Sequence, residues 1–135
     1  MDKIVPTDEE FVFDGKVALS QTDLKGNITF VNRKFCEISG YDTQELLGSS
    51  CNIIRHPDVP EIIFDKMWKI LGDGQSWNGM IKNLCKDGRY YWVDMEITPI
   101  RDAEEEVTGY ISVSKSAPRK NITDIEKMYK QQDSG

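Results

Sequence analysis

Residues 77–100 read "WNGMIKNLCKDGRYYWVDMEITPI", and this stretch decides the fold. Two runs rich in aromatic and β-branched residues flank Asp87-Gly88, a pair that favours a tight hairpin turn. Side chains alternate along a strand. Trp77, Gly79, Ile81, Asn83 and Cys85 therefore share one face of the first run. Tyr91, Val93, Met95 and Ile97 share a face of the second, with Tyr90, Trp92, Asp94 and Glu96 opposite. The hairpin thus carries large apolar groups on both faces. One face meets the helices, and the other needs the N-terminal arm, the C-terminal helix or a second subunit to cover it. Asn83 is the exception on the inner face. A buried carboxamide must find a hydrogen-bond partner or cost about 1–3 kcal/mol.

Outward from this hairpin the remaining elements fall into place. After the acidic loop "RDAEEE", "VTGYISVSKS" reads as a further strand. Upstream, "VALSQTD" and "ITFVN" are strands joined at Gly26-Asn27, a pair suited to positive φ. Asn32 caps a short helix, "RKFCEISG", which Gly40 stops. Asp42 and Glu45 form a capping box for a second short helix. "VPEIIFDKMWKILGDG" has helical spacing at Ile63, Met67, Ile70 and Leu71, with Asp58 as its expected N-cap and Glu61 three residues on. Asn121 or Thr123 is expected to cap a last helix, whose Ile122, Ile125 and Met128 form an apolar seam. Two strands, several helices and three strands make an α+β domain with helices on one face of an antiparallel sheet.

The chain has 135 residues, 17 basic and 23 acidic, for a net charge of −6. That size fits one domain with a sizeable core. The negative balance argues against non-specific nucleic-acid binding and anionic membrane surfaces. Cys36, Cys51 and Cys85 lack metal-type spacing, and the acidic N-terminus lacks the basic start of a secretory signal. A reduced, cytoplasmic protein without direct membrane insertion is expected.

The sole histidine lies in "CNIIRHPD", residues 51–58. Arg55 offers a planar fork to a phosphate oxygen, and a helix N-terminus follows at once. His56 stands beside it, and Pro57 stiffens the turn. The alternative is structural: Asp58 caps a helix and the loop merely closes.

The order of elements, "ISGYDTQELLG" and "KDGRYYWVDMEITPIRD" with a final "GYISVSKS" strand resemble the PAS sensory fold. "NIIRHPDVP", "FDKMW", the Trp77–Asn83 spacing and "YYWV" are similar to the FAD-binding PAS domains of bacterial aerotaxis receptors. The resemblance implies a five-stranded PAS sheet at 17–118, an N-terminal cap at 1–16 and a connector or interface helix at 119–135. It implies non-covalently bound FAD that senses redox state or oxygen. It also implies a chemotaxis transducer or receptor signalling domain as partner, with homodimerisation through the cap or the outer sheet face as a further option. By position, the implied FAD-site residues are Asn32, Arg55, His56, Asp58, Phe64, Trp68, Trp77 and Asn83.

Three rival readings follow from the same residues. A blue-light receptor of the light-oxygen-voltage type would use Cys51, but Val93 and Ser114 stand where that family has an asparagine and a glutamine. A haem sensor would use His56 as axial ligand. A ligand-free PAS module would fill its pocket with its own side chains. An enzyme is not expected, because no nucleophile–base pair is evident. Neither is an output domain, so signalling would pass to a separate transducer or along a longer receptor.

Overall fold

The computed structural model describes residues 4–13, 15 and 17–134. Of the stretch read as an N-terminal cap, residues 1–3, 14 and 16 lie outside the described residues. Five antiparallel strands form one sheet: β1 (Ala18–Asp23), β2 (Ile28–Val31), β3 (Trp77–Leu84), β4 (Tyr90–Arg101) and β5 (Val107–Ser116). Their spatial order is β2-β1-β5-β4-β3, so β5 joins the two hairpins and β3 is an edge strand. Three helices, α1 (Arg33–Ser39), α2 (Thr43–Leu46) and α3 (Glu61–Gly72), follow β2, with a single 3-10 turn at Cys51–Ile54. The last helix, α4, spans Arg119–Ser134.

Local chemistry explains most of these boundaries. Asn32 Oδ1 accepts from Phe35 N at 2.9 Å, and Gly40 ends α1 at φ 84°. Asp42 and Glu45 form the reciprocal capping box of α2, at 2.8 and 3.1 Å. Gly88 turns the β3–β4 hairpin at φ 96°. In the β1–β2 turn only Gly26 takes positive φ; Asn27 does not, and Asp23 instead accepts hydrogen bonds from the Lys25 and Asn27 backbones.

Two helix starts differ from expectation. Asp58 does not cap α3; the helix begins at Glu61, with Pro60 at the N-cap and no side-chain cap. A proline disfavours the helical conformation in the residue before it, so Val59 stays outside the helix and Asp58 is out of reach. The last helix starts at Arg119 rather than at Asn121 or Thr123. Pro118 sits at its entry, where a missing N–H costs nothing, and its carbonyl accepts from Asn121 N at 3.1 Å.

The chain itself covers the hairpin's outer face. Trp92 stacks on Tyr129 of α4, with ring centroids 5.8 Å apart and planes 21° apart. The Tyr129 hydroxyl donates to the Met80 carbonyl of β3 at 3.2 Å. The N-terminal arm runs beside the start of β4, where β5 no longer reaches. Thr7 N donates to Gly88 O, Tyr90 N to Glu9 O and Phe11 N to Tyr90 O. An Arg119–Glu10 ion pair ties arm to helix.

Truncating Tyr129 tests how much this cover matters. Tyr129→Ala is expected to cost about 3 kcal/mol, a large buried side chain being lost. Tyr129→Phe, which keeps the stack and loses one hydrogen bond, is expected to cost about 1 kcal/mol. Urea unfolding of the two variants measures both values; equal losses would assign the stability to the hydrogen bond alone.

Candidate functional site

A cavity lies between the sheet and the helices, and its floor explains it. Ala18, Ser20 and Thr22 of β1 and Ser112 and Ser114 of β5 face inward side by side. These small side chains leave space that Phe35 and Ile38 of α1, Ile54, and Phe64, Met67 and Trp68 of α3 roof over. Ile81, Asn83, Tyr91, Met95 and Ile97 close the β3–β4 side. The cavity has a volume of about 80 Å³. That is far below the roughly 300 Å³ minimum of ordinary ligand pockets. Seating a fused ring therefore requires the mouth side chains to give way.

The mouth is built on the free edge of β3. Arg55 forms an antiparallel backbone bridge with Asn83, which fixes the loop after the 3-10 turn against that edge. The Arg55 guanidinium lies 3.9 Å over the Phe64 ring. Arg55 lines both the inner cavity and an outer groove of about 410 Å³, whose other walls are Asn52, His56, Pro57, Val59, Pro60 and Glu61. Asn83 is 3% exposed and stands directly across from Tyr91 on β4. Burial pushes the Tyr91 hydroxyl far up, and its interaction with the Asn83 side chain works against that shift. The polar partner expected for Asn83 is thus supplied by the protein itself.

Arg55, Phe64, Trp68 and Asn83 come together at the cavity; the other expected residues do not. Asn32 is consumed by structure: Oδ1 also accepts from Leu19 N at 3.0 Å, and Nδ2 donates to the Val17 carbonyl at 3.1 Å. Trp77 folds back along its own strand across Gly79, its ring 2.6 Å from where a Cβ would stand. His56 is 3% exposed and lines the outer groove rather than the cavity; its Nδ1 accepts from Asp58 N at 3.0 Å. No imidazole therefore reaches a group seated inside, which removes the ligand from the haem reading. Asp58 points away, 62% exposed, and pairs with Lys82 at 2.8 Å.

The hydroxyl floor was missed in the sequence, although its signal was present. Ser20-x-Thr22 and Ser112-x-Ser114 place hydroxyl side chains at successive inward positions of two central strands. Cys51 also lines the cavity, and burial pushes its thiol up. Among the described residues, no cluster of three or more His, Cys, Asp or Glu side chains is placed to hold a metal. No buried side-chain nitrogen or oxygen among them is left without a partner.

The PAS fold family model matches residues 28–114. The chain belongs to the PAS family. This PAS domain is 38% identical over 122 residues to the aerotaxis receptor of Escherichia coli, which is 90% of this chain and 24% of that one. It is 34% identical over 104 residues to a nitrogen fixation regulatory protein of Klebsiella pneumoniae, 77% of this chain and 21% of that one. The chain thus spans about a quarter or less of either relative. A solved light-oxygen-voltage domain studied with a flavin analogue superposes with a TM-score of 0.74 at 23% identity, covering 85% of this chain and 87% of that one. At that identity it speaks for the fold alone. No helix of the described residues is long and apolar enough to cross a membrane.

His56 gives the site a testable pH signature. Burial first, and the Lys82 ammonium second, hold its imidazole below the usual histidine range, against the opposing pull of Asp58. As pH falls below about 6.5 the unfolded chain takes up the proton before the folded one does, so stability declines. His56 is the sole histidine. His56→Asn keeps an acceptor for Asp58 N and cannot titrate. Its unfolding midpoint is expected to stay level down to about pH 5, where carboxylates take over, while the parent falls from about pH 6.5. Parallel curves for the two proteins would remove His56 from this role.

Proposed function

We propose that this PAS domain is a redox sensor that holds FAD non-covalently and passes its state to a chemotaxis transducer or receptor signalling domain. The observation that carries the reading is the place of Arg55 in the walls of two neighbouring spaces. An apolar cavity with hydroxyl and carboxamide groups and an outer groove share this one guanidinium. That shape suits an elongated ligand with a flat heteroaromatic end, an anionic middle and a further polar end, which favours FAD over FMN. The donor set fits such a ring. Asn83, Ser20, Ser112 and Ser114 offer both donors and acceptors, and aromatic and aliphatic walls supply the rest. Similarity to an aerotaxis receptor supports a sensor role and the same class of partner.

A bound flavin would supply reversible redox chemistry with a change in ring protonation and charge. The chain's part is to hold and to respond. Arg55 and the uncapped start of α3 favour an anion at the mouth. Asn83 lines the cavity beside Tyr91, and its carboxamide carries both a donor and an acceptor that rotation exchanges. Its strand continues to Met80, whose carbonyl holds Tyr129 of α4. We place the relay along this strand, in a bacterial cytoplasm, and read the domain as a sensor rather than a catalyst.

Cys51 in the cavity wall favours a second reading, a blue-light receptor. Against it, Val93 is buried but does not line the cavity, and Ser114 is too short to reach far above the sheet.

Absorbance spectra of the purified protein, incubated with FAD and then freed of unbound FAD by gel filtration, oxidised and then dithionite-reduced, test the proposal. A two-band spectrum that bleaches on reduction, with FAD released on denaturation, is expected. Arg55→Met should weaken FAD binding about tenfold or more, the loss of hydrogen bonds to a charged group. Protein that stays colourless with FAD would overturn the reading. A blue-light-induced, Cys51-dependent spectral change would replace it with the second.

A further inference from the structure

The Asp58–Lys82 pair lies on the far side of β3 from the cavity, yet it restrains the loop that carries Arg55. Side chains alternate on β3, so Asn83 points inward and Lys82 outward. The loop 55–58 wraps around this edge. Arg55 is pinned by its backbone to Asn83, and Asp58 is pinned by its carboxylate to the Lys82 ammonium at 2.8 Å. Lys82 is held in turn, only 15% exposed, with its ammonium 4.5 Å over the Tyr90 ring. His56 sits between the two pins, and its Nδ1 accepts from Asp58 N. Lys82, Asp58, His56 and Tyr90 share a polar cleft with Thr7 and Glu126, so none of these contacts lies inside the cavity.

We propose that Lys82 is a positioning residue: by gripping Asp58 across the edge of β3 it sets the Arg55–His56 loop to receive the phosphate-bearing part of the ligand. The proposal rests on the flavin reading above and extends it. Asp58 then acts through Lys82 rather than by touching the ligand, which accounts for an acid in an anion-binding loop. A long side chain held over a ring has already lost much of its freedom, so this pair gains more from its geometry than two mobile surface charges do. The consequence is selective. Loosening the loop weakens recognition of phosphate and leaves the ring's seat, built from β1, β5 and α3, intact.

Affinities for FAD, FMN and riboflavin, measured by fluorescence titration, separate this role from a merely structural one. In Lys82→Met and in Asp58→Asn, binding of FAD and FMN is expected to weaken about fivefold, and binding of riboflavin to change by less than about twofold. The exchange variant Lys82→Asp with Asp58→Lys should recover most of the FAD affinity. Far-UV circular dichroism and melting curves establish that each variant is folded. Equal losses for all three flavins, or no loss in either single variant, would overturn the positioning role while leaving flavin binding in place. A parent protein that binds none of the three flavins would remove the flavin reading and this inference with it.

Discussion

The backbone bridge between Arg55 and Asn83 is the constraint on which the rest of the site depends. An edge strand presents unpaired N–H and C=O groups that demand a partner. On β3 that demand is met in pieces, by Arg55 at one point and by the Tyr129 hydroxyl at Met80. A continuous sixth strand would have satisfied the edge more fully, but it would have left no opening. Because the partner is a loop, a guanidinium stands where the cavity reaches the surface. The mouth is thus a by-product of how one sheet edge is satisfied.

The cavity itself has a different origin. Its floor is Ala18, Ser20, Ser112 and Ser114, placed opposite one another by the register of β1 and β5. Larger residues there would fill the space and add apolar burial, at about 0.8 kcal/mol for each buried methylene. Hydroxyls at these positions forgo that gain. Each must also find a partner, since buried polar groups are costly alone. Stability is recovered on the opposite face, where Trp92, Tyr129 and Ile122 pack under cover of α4. The two faces divide the work: a loosely filled one that can admit a ligand, and a tightly packed one that holds the sheet together.

Much of this was legible in the sequence because it is local. Asn32, Gly40, the Asp42–Glu45 box and Gly88 act over a few residues, and their chemistry settles them without tertiary help. The hairpin's two-faced burial was legible from alternation alone. Where the placement differs from the reading, rules compete. Asp58 is a good cap by type, but Pro60 constrains Val59 more strongly than any cap attracts. Asn32 is placed at a ligand by the family resemblance, and its side chain is bonded to three backbone groups, those of Val17, Leu19 and Phe35. Trp77 faces inward by alternation, but Gly79 opens a slot along its own strand and the indole takes it. His56 lies beside Arg55 in sequence and shares the outer groove with it, but only Arg55 reaches the inner cavity. Most of these outcomes are settled within a few residues or by the neighbouring strand; only the placing of His56 depends on where a loop crosses β3, which periodicity does not encode.

That crossing also bears on how a state in the cavity reaches the surface. A two-state element must contact both places, and mere adjacency is not coupling. β3 meets the condition of contact. Asn83 faces the cavity, Lys82 holds the loop from outside, and the Met80 carbonyl holds α4. Arg119 and Glu10 join the arm to α4, so the arm touches both α4 and the hairpin. Typical coupling free energies are about 1–3 kcal/mol, similar to one or two hydrogen bonds. The single bond from Tyr129 to Met80 is of that order. It is therefore weak enough to be exchanged and strong enough to be felt, whereas the Trp92–Tyr129 stack beside it is too large to be broken by a change of that size. α4 is then expected to shift while remaining docked, with the stack as its pivot.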